Sequence, residues 1–291
     1  MKTIVISRWY GRFGNNILQI LNALIYAIDN NYNKIILPDD NTYTVFNNDY
    51  SFCHKEKLTN DNLLFIKYEI IINDLITDKY LLEDIFFDYG LKKLIDYTNH
   101  DITALFNAYI KPCLNTAIIT DSNDNSQDNN LIIHIRSGDI FCSILEIEKE
   151  YVQPPLYYYK TIMNRENTQK CLLVTENLLN PVAEYLVANQ ICYWNSNDLI
   201  KDINHLVNAK ILCLGYGTFG IIILLLNNKA ERVYIPDYYY EYYLNYYKFD
   251  IKKLMKPFQS LIIIALPDYI KVNEFIYDNS IKKIMMDYRN E

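Results

Sequence analysis

The sequence predicts an α/β protein of two units, each built on parallel strands. Three observations carry that expectation. The first 38 residues read as strand, glycine loop, periodic helix and strand. Thr120 to Asn130 contain no aliphatic or aromatic residue, and from Leu131 onward apolar runs alternate with stretches of helical periodicity. A chain of 291 residues suffices for one large domain or for two of about 130 to 150 residues each. A stretch that cannot join a core places the boundary. Residues 1–120 are expected to form an amino-terminal unit and 131–291 a carboxy-terminal one.

Within the first unit, the apolar run Thr3 to Ser7 predicts a strand and Ile17 to Ile28 a helix, with Gly11 and Gly14 in the loop between them. A second strand is predicted at Lys34 to Pro38, completing a βαβ unit. From Thr42 to about Asn115 the signals weaken. Apolar runs stand at Leu63 to Ile66 and Ile70 to Ile72, and a helix is predicted around Thr103 to Ile110.

In the second unit the predicted strands are Leu131 to Arg136, Cys171 to Thr175, Ile191 to Trp194, Ile211 to Leu214 and Arg232 to Ile235. Helices are predicted at Pro181 to Asn189, Leu199 to Ala209 and Phe219 to Asn227. That alternation implies parallel strands covered on both faces. The Tyr-rich run Asp237 to Phe249 reads as a partly exposed helix or loop. Apolar positions between Val272 and Tyr288 predict a closing helix.

Composition excludes several function classes. A net charge of -7, with no block of like charge, argues against nucleic acid and anionic membranes as partners. The 28 tyrosines are read as a compositional bias without catalytic meaning. The six scattered cysteines, none in a C-x-x-C pair, are expected to be reduced structural thiols. The most apolar stretch, Ile211 to Leu226, is shorter than the roughly 20 residues a membrane span needs and is interrupted by glycines. With no recognisable signal peptide, a soluble cytoplasmic protein without a membrane span is expected. Asp39 and Asp40 are adjacent and point to opposite sides, and the aspartates of Thr120 to Asn130 lack the turn glycine and distal glutamate of a calcium loop, so no metal site is expected.

Three places could carry chemistry. Gly11-Arg12-Phe13-Gly14-Asn15-Asn16 lies where the first strand meets its helix, the edge at which open α/β sheets bind ligands. Its glycines also suit a simple tight turn, and Asn15 a helix cap. In His134-Ile135-Arg136-Ser137-Gly138-Asp139 the two-residue period places His134 and Arg136 on one side of a strand end and Ile135 on the other. The planar guanidinium of Arg136 suits a diphosphate, although Arg136 could instead pair with Asp139. The third place runs from Asp202 to Leu226. Its turn, Gly215-Tyr216-Gly217-Thr218-Phe219-Gly220, opens a helix whose amide end favours an anion, with Thr218 able to cap the helix or meet a phosphate.

Together these motifs resemble the superfamily of α1,2-, α1,6- and protein O-fucosyltransferases. GRFGNN is similar to its amino-terminal G-R-x-G-N loop, HIRSGD to its H-x-R-x-G-D motif, and the stretch from DIN to TFG to its third motif. Tyr151 to Tyr159, YVQPPLYYY, resembles the Q-P-P-x-Y-Y segment of the α1,2 members. The resemblance covers both units but not residues 40 to 120 or 237 to 291.

What the resemblance implies is a GT-B-like fold, two Rossmann-type lobes with a cleft between them. The amino-terminal lobe would take a glycan acceptor and the carboxy-terminal lobe a GDP-sugar donor, with neither metal nor cofactor. Arg136 would bind the diphosphate, His134 the nucleotide, and Asp202 the guanine. Thr218 and Phe219 would meet the diphosphate, while Phe13, Gly14 and Asn15 close over it and Arg12 stabilises the departing charge. Asp139, Glu146 or Glu148 would serve as general base. The implied reaction is inverting transfer of fucose from GDP-fucose. The alternatives are another GDP-hexose donor, or a catalytically silent protein that binds a nucleotide or glycan. The chain departs from the pattern at Ser137, where many members carry a second arginine, and at Gly217, where serine is common.

Overall fold

The computed structural model describes residues 2–6, 9, 12–38, 42–46, 53–57, 69–72, 81–84, 100–114, 131–141, 151–194, 199–246, 249–270 and 278–289. The chain divides into two compact units, Met1–Ile119 with Tyr247–Phe249, and Thr120–Tyr246 with Asp250–Glu291. The predicted polar linker and the run Leu63 to Ile66 lie outside the described residues.

The first unit begins with β1 (Lys2–Val5), α1 (Phe13–Asp29) and β2 (Lys34–Ile36). β1 pairs in parallel with β2 and with β6 (Leu81–Asp84), and β5 (Glu69–Ile71) closes the other edge antiparallel to β2. β3 (Thr42–Phe46) and β4 (Cys53–Lys57) form a separate antiparallel pair. The buried faces of α1 carry Ile17, Ile20, Leu21, Leu24 and Ile25. The helix starts earlier than the sequence predicts. Arg12 occupies the N-cap position in extended conformation, and Phe13 to Asn16 are the first helical turn rather than a loop. Asn15 therefore does not cap α1. The helix predicted at Thr103 to Ile110 is α2 (Ile102–Leu105) continued by a π turn (Phe106–Ile110) and a short 3-10 turn (Lys111–Cys113). Asp101 caps it by accepting a hydrogen bond from the Ala104 amide at 2.9 Å.

In the second unit the chain runs β7 (Leu131–His134), α3 (Leu156–Arg165), β8 (Cys171–Val174), α4 (Pro181–Ala188), β9 (Cys192–Trp194) and α5 (Leu199–Val207). It continues with β10 (Ile211–Leu214), α6 (Thr218–Leu226), β11 (Arg232–Pro236), α7 (Asp237–Tyr246), β12 (Ser260–Ile264) and α8 (Asn279–Asp287). The strands form one sheet in the order β12-β11-β10-β7-β8-β9, and all its pairings are parallel. This is the doubly wound order, in which the chain adds strands on one side of β7 and then returns to add them on the other. Every residue of β7, β8 and β10 is buried, as continuous apolar strands covered on both faces must be. α8 packs on α3 and α4, while α5 packs on α6.

Three helices end by the same device. After α1, α3 and α4, the residues Asn31, Asn167 and Gln190 adopt positive φ of 57°, 49° and 58°. The next amides turn back into the helix, from Tyr32 to the Ala27 carbonyl, Thr168 to Met163 and Ile191 to Leu186, at 2.8 to 2.9 Å. These are Schellman closures with asparagine or glutamine where glycine is usual. At the end of α6 the buried Asn227 performs a different closure. Its Nδ2 donates to the carbonyls of Leu206 and Ala209, and its Oδ1 accepts from the amides of Lys229 and Ala230.

One compositional expectation needs correction. Cys171 and Cys192, register partners on neighbouring parallel strands, form a disulfide rather than remaining reduced. Cys113 and Cys213 are buried thiols. The Tyr-rich run forms a partly exposed helix, as expected: α7 buries Tyr239 and Tyr243, and Tyr239 packs on Tyr216 of the turn that precedes α6. Among the described residues no helix is long and apolar enough to cross a membrane.

Candidate functional site

In an open parallel sheet the crevice forms where neighbouring strands lead off in opposite directions, at their carboxyl ends. Here that point lies between β7 and β10, which pair in register from Ile211 against Leu131 to Leu214 against His134. The segments leaving these two strands are Ile135 to Phe141 and Gly215 to Phe219, which contain the second and third sequence motifs.

β7 alternates as its period demands. Leu131, Ile133 and Ile135 enter the core beside α3 and α4. His134 lies on the other side, where its ring meets Phe219 with centroids 5.0 Å apart. Arg136 reaches the same turn, so that a methyl group on Gly217 would lie 3.9 Å from its Cδ and 4.0 Å from its Nη1. The guanidinium also stands over the Tyr151 ring, 4.8 Å from the centroid. A cation stacked on an aromatic face is held in place without spending its in-plane donors.

The turn itself explains the glycine at position 217. Gly217 has φ 140° and ψ 162°, a conformation essentially confined to glycine. It occupies the N-cap position of α6, where it offers no side chain to cap the helix. Thr218 is the first helical residue and does not cap the helix. Two tyrosine hydroxyls hold the turn from behind: Tyr158 donates to the Leu214 carbonyl at 3.0 Å and Tyr239 to the Gly217 carbonyl at 2.6 Å.

Ser137 also has a structural role. Its buried hydroxyl donates to Asn177 Oδ1 at 2.6 Å and accepts from the Asn180 amide at 2.9 Å. Asn180 Nδ2 donates to the Arg136 carbonyl and Asn177 Oδ1 accepts from the Gly138 amide. The loop after β8 thus fixes the backbone on which Arg136 sits. Gly138 has φ 71°, and a Cβ there would collide with the Glu176 carboxylate.

The structure therefore brings together His134, Arg136, Gly217, Thr218 and Phe219 at one sheet edge. Asp202 lies half-buried in the first turn of α5. Because α5 leaves β9 to re-enter the sheet as β10, that turn begins at the same carboxyl edge. Asp139 lies in the 3-10 turn Gly138–Phe141, with its side chain outside the described residues, as are Glu146 and Glu148. Arg12, Phe13, Gly14 and Asn15 sit at the start of α1 in the other unit, Phe13 and Gly14 buried and Arg12 and Asn15 half-buried. Sequence reasoning missed Asn177, Asn180, Tyr158 and Tyr239. The first two lie immediately after a predicted strand, where an Asn pair is a usable loop signal. Among the described residues no cluster of three His, Cys, Asp or Glu side chains could hold a metal ion.

The sequence matches no family model and no curated protein. Among solved structures, the chain is similar to a crystal structure of POFUT1 in complex with GDP, with a TM-score of 0.44 and 10% identity, over 79% of this chain and 95% of that one.

Proposed function

We propose that this chain is an inverting glycosyltransferase that moves fucose from GDP-fucose to a hydroxyl of a glycan acceptor. The observation that carries the reading is the placement of the Arg136 guanidinium beside Gly217 at the switch point of the sheet. A cation and a helix amino terminus with glycine at its N-cap converge there from two different strands, an arrangement suited to a diphosphate.

In this reading Arg136 and the first amides of α6 hold the two phosphates, with Thr218 and Phe219 against them. His134 borders the nucleotide, and the Asp202 carboxylate accepts from the guanine N1 and N2 donors. In the amino-terminal unit this reading assigns donor contacts to Phe13, Gly14 and Asn15, and the leaving phosphate to Arg12. The acceptor oxygen attacks the anomeric carbon from the face opposite GDP. The carbon–phosphate-oxygen bond breaks, and the acceptor proton passes to a carboxylate, for which Asp139 is the candidate nearest Arg136 in sequence. The protein's leverage is stabilisation of the charge that grows on GDP. No metal or cofactor is assigned a role. Ser137 is bonded inward, where many family members carry a second arginine, and this favours a second reading with the same grip and another GDP-hexose.

Thermal-shift measurements with GDP, UDP and ADP test the reading, since a ligand that binds only the folded chain raises its melting temperature. GDP is expected to stabilise the wild type selectively, and Arg136→Ala is expected to lose most of that shift and to slow transfer by about a hundredfold or more. Equal shifts with all three nucleotides would remove the guanine role of Asp202. Wild-type transfer by Arg136→Ala would remove the mechanism.

A further inference from the structure

We infer that Tyr239 is a positioning residue for the anion grip: its hydroxyl fixes the peptide that aims the first amide of α6. The inference rests on the nucleotide-sugar reading above. Tyr239 is fully buried on α7, and its hydroxyl donates to the Gly217 carbonyl at 2.6 Å. In a planar trans peptide the carbonyl and the following N–H point in opposite directions. Drawing the Gly217 carbonyl toward Tyr239 therefore turns the Thr218 N–H away from that ring, in a turn that Arg136 also lines.

The surroundings are fitted to that contact. A methyl group on Gly220 would lie 3.2 Å from the Tyr239 hydroxyl oxygen, so the glycine provides the ring's access to the turn. The Tyr216 ring meets Tyr239 edge-on at 5.3 Å and Tyr243 does so at 5.0 Å, leaving the ring little freedom to withdraw. Tyr158 holds the other end of the turn through the Leu214 carbonyl. Because Gly217 has no side chain and an unusual φ, its peptide would otherwise rotate readily. A phenylalanine at 239 would fill the same space. The hydroxyl contributes orientation, and by withdrawing charge from the carbonyl it also strengthens the N–H on the same peptide as a donor.

Tyr239→Phe separates the hydroxyl from the packing. The full chain carrying it is expected to keep the wild-type circular dichroism spectrum. In the absence of ligand its Thr218 and Phe219 amides should exchange hydrogen about threefold faster or more, and GDP should bind about three- to tenfold more weakly, the worth of one neutral hydrogen bond. Wild-type exchange in Tyr239→Phe would overturn the clamp, as would GDP affinity equal to that of a GDP-binding wild type. A wild type that binds no GDP would instead sink the nucleotide reading, while faster exchange at Thr218 would still support the clamp on the turn. Tyr158→Phe provides a second variant should the first fail to fold. It should loosen the amides of Gly215 to Thr218, and unchanged exchange there would count equally against the clamp.

Discussion

Glycine is used sparingly in this chain, and where it occurs is informative. Of seven glycines, Gly11, Gly14, Gly138, Gly215, Gly217 and Gly220 fall in the three motif segments, and only Gly90 falls elsewhere. Gly138, Gly215, Gly217 and Gly220 each have a geometric reason, either positive φ or a close neighbour. Gly217 is the most demanding. At its φ of 140° and ψ of 162° any Cβ is strained. Gly217→Ser is therefore expected to destabilise the fold by about 1–3 kcal/mol, read from the shift in a denaturant midpoint. A neutral result would mean that the turn can adopt another conformation.

At the scale of elements, the helix ends show the converse. Gln190 is exposed in the left-handed region at φ 58° and closes α4 through backbone bonds alone. Gln190→Gly is expected to stabilise the protein by up to about 1 kcal/mol, because glycine adopts that conformation without steric cost. Loss of stability in urea unfolding would show that the glutamine side chain contributes something the backbone does not. Elements were legible in the sequence in proportion to burial. β7, β8, β10 and β11 are short apolar runs bounded by polar residues, and the structure places them close to their predicted bounds. β3, β4 and β6 were not legible, since TYTVF, CHKEK and LLED have no clean period. α3 was hidden because its segment opens with Gln153-Pro154-Pro155 and tyrosines interrupt the aliphatic residues of its buried face, Leu156, Tyr158, Tyr159, Ile162 and Met163. At the site, Arg136 and the glycine turn could be found because a cation and glycines mark strand ends. Tyr239 could not, because its partner is a backbone carbonyl 22 residues away, which no side-chain pattern records.

Over the whole molecule the tyrosines amount to more than composition. Burial pushes the phenols of Tyr158, Tyr159, Tyr239 and Tyr269 above their ordinary value. All four are buried, and the hydroxyls of Tyr158, Tyr239 and Tyr269 are bonded to the carbonyls of Leu214, Gly217 and Gln153. A phenol whose pKa is raised by folding contributes stability that is fully present below the unfolded value near pH 10 and is lost as pH climbs past it. Each such group steepens the loss by about 1.4 kcal/mol per pH unit. Unfolding above about pH 10 is expected to be cooperative and to coincide with the rise in phenolate absorbance. Smooth ionisation of these phenols in a chain that stays folded would contradict their burial.

The strand order has a further consequence during synthesis. β7 meets β8 soon after it is made, but its other neighbour, β10, begins only at Ile211. A nascent chain that has assembled β7, β8 and β9 therefore presents the bare hydrogen-bonding edge of its most central strand, a template for pairing with any extended segment nearby. Leu131 to Ile133, buried at the heart of the finished sheet, is thus the stretch most in need of shielding on the ribosome.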